Sequence, residues 1–171
     1  MSTPNLAAPL HYDDQLISDI LRRVKSIAMV GASANWVRPS NFVMKYLLGK
    51  GYKIIPVNPG YAGKEILGQM TYASLTDIPE TIDMVDIFRG SDAAGSVVDD
   101  VISFSNQDKP IGVIWMQLGV RNDPAASRAE AAGMSVIMDR CPKIEYGRLF
   151  GELGWCGVNS GIISSKRRRM G

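Results

Sequence analysis

The chain has 171 residues, 46% hydrophobic and 21% charged, a length and composition that bury one ordinary core and exclude wholesale disorder. Nineteen basic against 17 acidic residues leave a net charge of +2, too balanced to indicate a nucleic-acid or membrane-surface partner. The sole histidine, His11, and two cysteines, Cys141 and Cys156, exclude a histidine metal cluster and a disulfide scaffold, and the cysteines lack zinc spacing. A Ser/His/Asp or Cys/His nucleophile would have to use His11, which reads as a surface residue of the N-terminal arm. The longest apolar runs, around 111–116 and 27–30, fall far short of the ~18–20 residues that span a bilayer. Residues 1–11 lack the basic flank and apolar run of a secretory signal. Unpaired thiols then fit a reducing cytoplasm.

In chain order, residues 13–25 carry a helical stripe of Leu16, Ile17, Ile20, Leu21 and Val24. Asp13 and Asp14 at its start and Arg22, Arg23 and Lys25 at its end suit the helix dipole. Residues 26–30 are a short apolar strand ending at Gly31. Pro39 and Ser40 open a second helix with Phe42, Val43, Tyr46 and Leu47 on one face, closed by Gly49 and Gly51. Residues 53–57 form a second strand stopped by Asn58-Pro59-Gly60; residues 61–76 read as loop and 75–79 as a short turn. A third strand, 83–88, precedes a helix capped by Ser91-Asp92 that presents Val97, Val98, Val101 and Ile102. The fourth strand is 111–116. Asn122, Asp123 and Pro124 cap the alanine-rich helix 125–132, which Gly133 ends. A fifth strand, 135–138, and a last helix, 143–150, follow.

Apolar strands alternating with helices specify an α/β protein. The expected architecture is a Rossmann-like, doubly wound, mainly parallel five-stranded sheet with helices on both faces. One domain is expected over 1–171, with its core at about 13–150 and a mobile tail from about 164. Its ligand site belongs at the carboxyl ends of the strands, at the switch point.

Four loops converge there. In the first, Gly31 permits close backbone approach, Ala32 and Ser33 leave room, and a helix N-terminus with Arg38 follows, a combination suited to a phosphate or diphosphate. The loop is not a nicotinamide fingerprint, because Ser33 and Trp36 stand where glycines belong. Strand two also ends in Asn58 instead of an acidic residue. No Walker A or nucleophile-elbow pattern is present. In the second loop, Asn58 offers hydrogen bonds, Pro59 a flat apolar surface and Lys64 a cation; a plain turn with a solvated lysine is the alternative. The third offers Phe88 to a ring and Arg89 to a phosphate. The fourth holds Gln117, either a ligand contact or a partner for a neighbouring loop, and Gly119. After strand five, Asp139 and Arg140 are expected to pair with charged neighbours, and Cys141 is a thiol without a sequence signal of reactivity. Lys166 to Arg169 reads as a solvated basic tail.

Taken in order, Val30-Gly31-Ala32-Ser33, Arg38-Pro39-Ser40, Pro56-Val57-Asn58-Pro59 after Gly51-Tyr52, Asp86-Ile87-Phe88-Arg89, Trp115-Met116-Gln117-Leu118-Gly119 and Met138-Asp139-Arg140-Cys141-Pro142 carry a resemblance. The chain resembles the small stand-alone CoA-binding domain proteins. These are similar to the N-terminal CoA-binding domain of the succinyl-CoA synthetase α subunit and of NDP-forming acyl-CoA synthetases. The match runs from about Val24 to Leu149. It implies coenzyme A as ligand. Gly31, Ala32 and Ser33 would cradle the diphosphate and Arg38 would neutralise phosphate. Asn58, Pro59 and Lys64 would face the adenosine and its 3′-phosphate, Phe88 and Arg89 the adenine, and Gln117 and Gly119 the pantetheine path. The phosphohistidine domain of the synthetases is missing, so binding of coenzyme A or an acyl-CoA without catalysis is expected. An NAD(P)-dependent oxidoreductase and a regulatory or scaffold subunit of an acyl-CoA synthetase are the alternatives, with any protein partner unspecified.

Overall fold

The structure, a computed structural model, describes residues 7–151. Helix α1 (Asp14–Arg23) is capped by Asp13, whose carboxylate accepts from the Gln15 N–H at 2.9 Å. It turns Ile17, Ile20 and Leu21 inward, while Leu16 of the expected stripe is 41% exposed. Strand β1 (Ser26–Val30) is buried throughout. Helix α2 (Pro39–Gly49) starts on a proline whose missing N–H costs nothing at this position. It buries Val43, Met44 and Leu47; Phe42, expected inside, lies outside. Ser40 and Asn41 take the inward places at its first turn because they hold the preceding loop.

Strand β2 (Lys53–Val57) follows. The segment expected as loop contains a small antiparallel hairpin, β3 (Glu65–Ile66) and β4 (Gln69–Met70). Leu67 and Gly68 turn it with φ of 48° and 78°, the paired left-handed residues of a tight two-residue turn. Asn or Asp in place of Leu67 would have been the sequence signal. Tyr72 then donates to Pro56 O and lies against the β2 edge.

Strand β5 (Met84–Ile87) leads into α3 (Ser91–Phe104). Gly90, not Ser91, is the N-cap of α3, and the Ser91 hydroxyl instead accepts from the Arg121 N–H at 3.1 Å. Strand β6 (Val113–Met116), α4 (Asp123–Ala131), β7 (Ser135–Ile137) and α5 (Pro142–Leu149) complete the chain order. Asn122 caps α4 as expected, accepting from the Ala125 N–H at 3.0 Å. Cys156, the basic tail and the boundary near 164 lie outside the described residues.

The five long strands form one parallel sheet in the order β2-β1-β5-β6-β7. Its two faces bury separate cores. Under α3 and α4 lie Val30, Val57, Val85, Ile87, Ile114 and Met116 with Val98, Val101, Ala125 and Ala129. Under α1, α2 and α5 lie Met29, Met84, Trp115 and Ile137 with Ile17, Ile20, Met44 and Leu47. Register places Met29, Asp86, Trp115 and Ile137 in one row across the sheet. Among the described residues, no helix is long and apolar enough to cross a membrane.

Candidate functional site

The strand order creates one opening. From β1 the chain crosses outward to β2, then returns to β5 on the opposite side of β1. The connections leaving β1 and β5 therefore diverge, and a crevice remains at their carboxyl ends.

Gly31 sits in its throat. The residue has φ of 88°, and its N–H donates to Val57 O at 3.0 Å. A Cβ here would stand 3.1 Å from Phe88 O and 3.2 Å from Arg89 Cδ. Only glycine meets both the left-handed backbone and this close approach. Beyond Gly31 the loop is braced by its own side chains. The Ser33 N–H donates to Ser40 Oγ at 3.1 Å, and the Asn41 amide donates to Ser33 O at 3.0 Å. The Asn35 N–H donates to Ser33 Oγ and the Val37 N–H to Asn35 Oδ1, both at 3.1 Å. Three backbone donors that a glycine-rich loop would offer a ligand are thus already engaged. The Ser33 and Ser40 hydroxyls each accept in these bonds and keep an O–H to donate.

Asn58 connects the second loop to the first. Its amide donates to Ala32 O at 2.9 Å and its carbonyl accepts from the Gly60 N–H at 2.9 Å. Both ends of the side chain therefore shape the site's backbone.

The resulting cleft encloses about 610 Å³. Its lining mixes the polar Ser33, Arg38, Ser40 and Gln117 with the apolar Val43, Leu118 and Val120, and Gly31, Ala32 and Cys141 also face it. A second cleft of about 540 Å³ lies between α3 and residues 73–76, and Pro59 and Arg89 line it. Phe88 and Asn58 face the first cleft. Lys64 is exposed above the Tyr61 ring, 5.1 Å from its centroid, and lines neither cleft. Gly119 lines neither; its N–H donates to Asp139 Oδ1 at 2.7 Å.

Gln117 is 6% exposed and donates from Nε2 to both oxygens of Asp86, at 3.1 and 3.2 Å. Asp86 is fully buried, and the loss of solvent pushes its carboxyl up to about 8, against a smaller lowering by the Gln117 hydrogen bond. In the sequence, Asp86 lies inside the third strand, 83–88, with no motif around it that marks a role. The available signal was a carboxylate between Val85 and Ile87 in a strand buried on both faces.

Asp139 and Arg140 hydrogen-bond to backbone groups, and of the charged neighbours expected Arg121 lies within electrostatic reach of Asp139. Asp139 holds the Gly119 turn, while Arg140 donates to Asp139 O at 2.8 Å and Leu10 O at 3.2 Å. Burial raises the Cys141 thiol above its ordinary value, and the buried Asp86 adds to the rise. That environment opposes thiolate formation.

Known proteins are similar to this chain in sequence and in fold. The chain is 39% identical over 130 residues to an uncharacterised Bacillus subtilis protein, YneT, a match covering 76% of this chain and 91% of that one. A hypothetical protein from Pyrococcus horikoshii OT3 superposes with a TM-score of 0.75 and 40% identity, covering 82% of this chain and 94% of that one. A dinucleotide-forming acetyl-coenzyme A synthetase of Candidatus Korarchaeum cryptofilum shares the fold alone, at 23% identity and TM-score 0.54, over 67% of this chain and 26% of that one. With residues 25–147 matching its model across both clefts and the switch point, the chain belongs to the CoA binding domain family.

Proposed function

We propose that the protein binds coenzyme A or an acyl-CoA in the crevice at the carboxyl ends of β1, β5 and β6, without catalysis of its own. The observation that supports this most is the mixed lining of the 610 Å³ cleft, with the polar Ser33, Arg38 and Ser40 beside the apolar Val43, Leu118 and Val120. Coenzyme A needs both kinds of surface, because it joins a multiply charged nucleotide to a long neutral arm. In this reading the diphosphate lies on the Gly31-to-Ser33 loop at the α2 N-terminus, where the helix dipole and the Ser33 and Ser40 hydroxyls favour an anion. Arg38 supplies the mobile positive charge. The adenosine portion extends toward Pro59 and Arg89 in the second cleft, with Lys64 reaching the 3′-phosphate from outside. The arm runs past Phe88 toward Gln117 and the Gly119 turn. The unpaired Cys141 suits a reducing, cytoplasmic setting.

Calorimetric titration with coenzyme A, acetyl-CoA and NAD⁺ tests this. Coenzyme A is expected to bind and NAD⁺ is not. Arg38→Ala is expected to weaken coenzyme A about tenfold, the scale of one charge-assisted hydrogen bond, with the melting temperature unchanged. Binding of NAD⁺ without coenzyme A overturns the reading in favour of an oxidoreductase.

A further inference from the structure

We propose that Asp86, in its ionised form, is a positioning residue that holds the Gln117 amide with its carbonyl oxygen presented to the cleft, as an acceptor for an N–H or O–H on the ligand's neutral arm. This rests on the coenzyme A reading above and adds to it a specific contact and the residue that orients it.

The geometry is one-sided. Asp86 lies mid-strand in β5, flanked across the sheet by Met29 and Trp115. Its carboxyl oxygens both meet Gln117 Nε2. Unprotonated carboxyl oxygens only accept, so the amide nitrogen must face inward and the carbonyl Oε1 must face away. Among the described residues no group donates to Oε1. Gln117 lines the cleft beside Val43, Leu118 and Val120. An acceptor in an otherwise apolar wall is costly to cover with an apolar group and favourable to cover with a donor. Pantetheine carries two amide N–H groups and a hydroxyl along its length.

Without Asp86 the Gln117 amide is free to turn about its last torsion and offer either end. The titratable group that interacts with Asp86 is Cys141, at the head of α5, and burial raises its thiol above the ordinary value. Below about pH 8 the Asp86 carboxyl holds a proton and offers its own O–H to the same amide. That O–H competes with the ligand for Oε1, so arm-dependent affinity should rise through this pH.

The test compares two ligands by calorimetry, acetyl-CoA, which has the arm and no titrating thiol, and adenosine 3′,5′-bisphosphate, which has no arm. At pH 9, Gln117→Met is expected to weaken acetyl-CoA about fivefold to tenfold, the scale of one hydrogen bond, and to leave the bisphosphate within about twofold. Asp86→Asn is expected to do the same, because an Asn amide donates to Oε1 and turns the Gln117 nitrogen toward the ligand. Wild-type affinity for acetyl-CoA is expected to rise from pH 7 to pH 9, and that of Asp86→Asn to stay flat. Equal weakening of both ligands, or wild-type acetyl-CoA affinity in Asp86→Asn, overturns the proposal. Should Asp86→Asn fail to fold, Gln117→Met and the wild-type pH profile decide. If the wild-type protein binds neither ligand, the coenzyme A reading itself falls, an outcome distinct from the others.

Discussion

The core cluster packed under α3 and α4 is built of apolar side chains, whereas the face under α1, α2 and α5 carries Asp86 and the Gln117 amide within its row of large side chains. Both faces are equally dry. They differ in what holds them together. The first depends on volume and shape alone, so its residues are interchangeable within the limits of packing. The second also depends on hydrogen bonds that must be made, since an unpaired polar atom there costs more than a missing methyl group. Trp115 illustrates this, being completely buried with its indole N–H donating to Arg140 O at 2.8 Å. The 610 Å³ cleft includes Gln117 and Cys141 of this second face, where polar groups already have partners to orient them.

Substitutions can break that contrast. The largest loss is expected for Trp115→Ala, about 3–5 kcal/mol from the cavity, with the freed Arg140 carbonyl adding to it; urea denaturation measures it. Gly31→Ala is next, at about 1–3 kcal/mol for strained backbone, because its Cβ would press on Phe88 O at 3.1 Å. Coenzyme A affinity should fall with it. A stability unchanged in this variant would mean that the loop relaxes and the throat is not fixed.

Asp86→Asn sharpens the contrast through pH. The buried carboxyl, raised to about 8, keeps a proton that the unfolded chain releases above about pH 4. Its favourable contribution is therefore complete below pH 4 and is lost as pH rises toward 8. Wild-type stability should decline across that window relative to Asp86→Asn, and the gap between their urea midpoints should widen from pH 5 to pH 8. A constant gap would show the carboxyl to be ionised in the folded protein throughout. The smallest effect is expected on the apolar face, where Ile114→Val should cost about 0.5–1.5 kcal/mol and leave ligand affinity untouched.

Much of this was legible in the residues. All five sheet strands, the Asn122 cap and the Gly31 turn follow from local rules, because apolar runs, caps and turns are decided within a few residues. Asn58 was legible as a polar loop residue but not as a bridge, since its partner Ala32 O is 26 residues away in sequence. Phe42 was misplaced because a helix stripe shows which residues are apolar and not which way the loop before the helix turns it. The Leu67-Gly68 hairpin was hidden because its turn lacks the usual residue.

The alternation of strands and helices, the loops that line the crevice and the family of the chain were readable from local residue patterns. The tertiary structure alone decided that Asp86 and Gln117 meet, that Pro59 and Arg89 face a second cleft and that Lys64 lines neither. The physical reason is that strand order and register, which bring distant residues into contact, depend on how two separate cores pack against one sheet. Local periodicity carries no record of that choice.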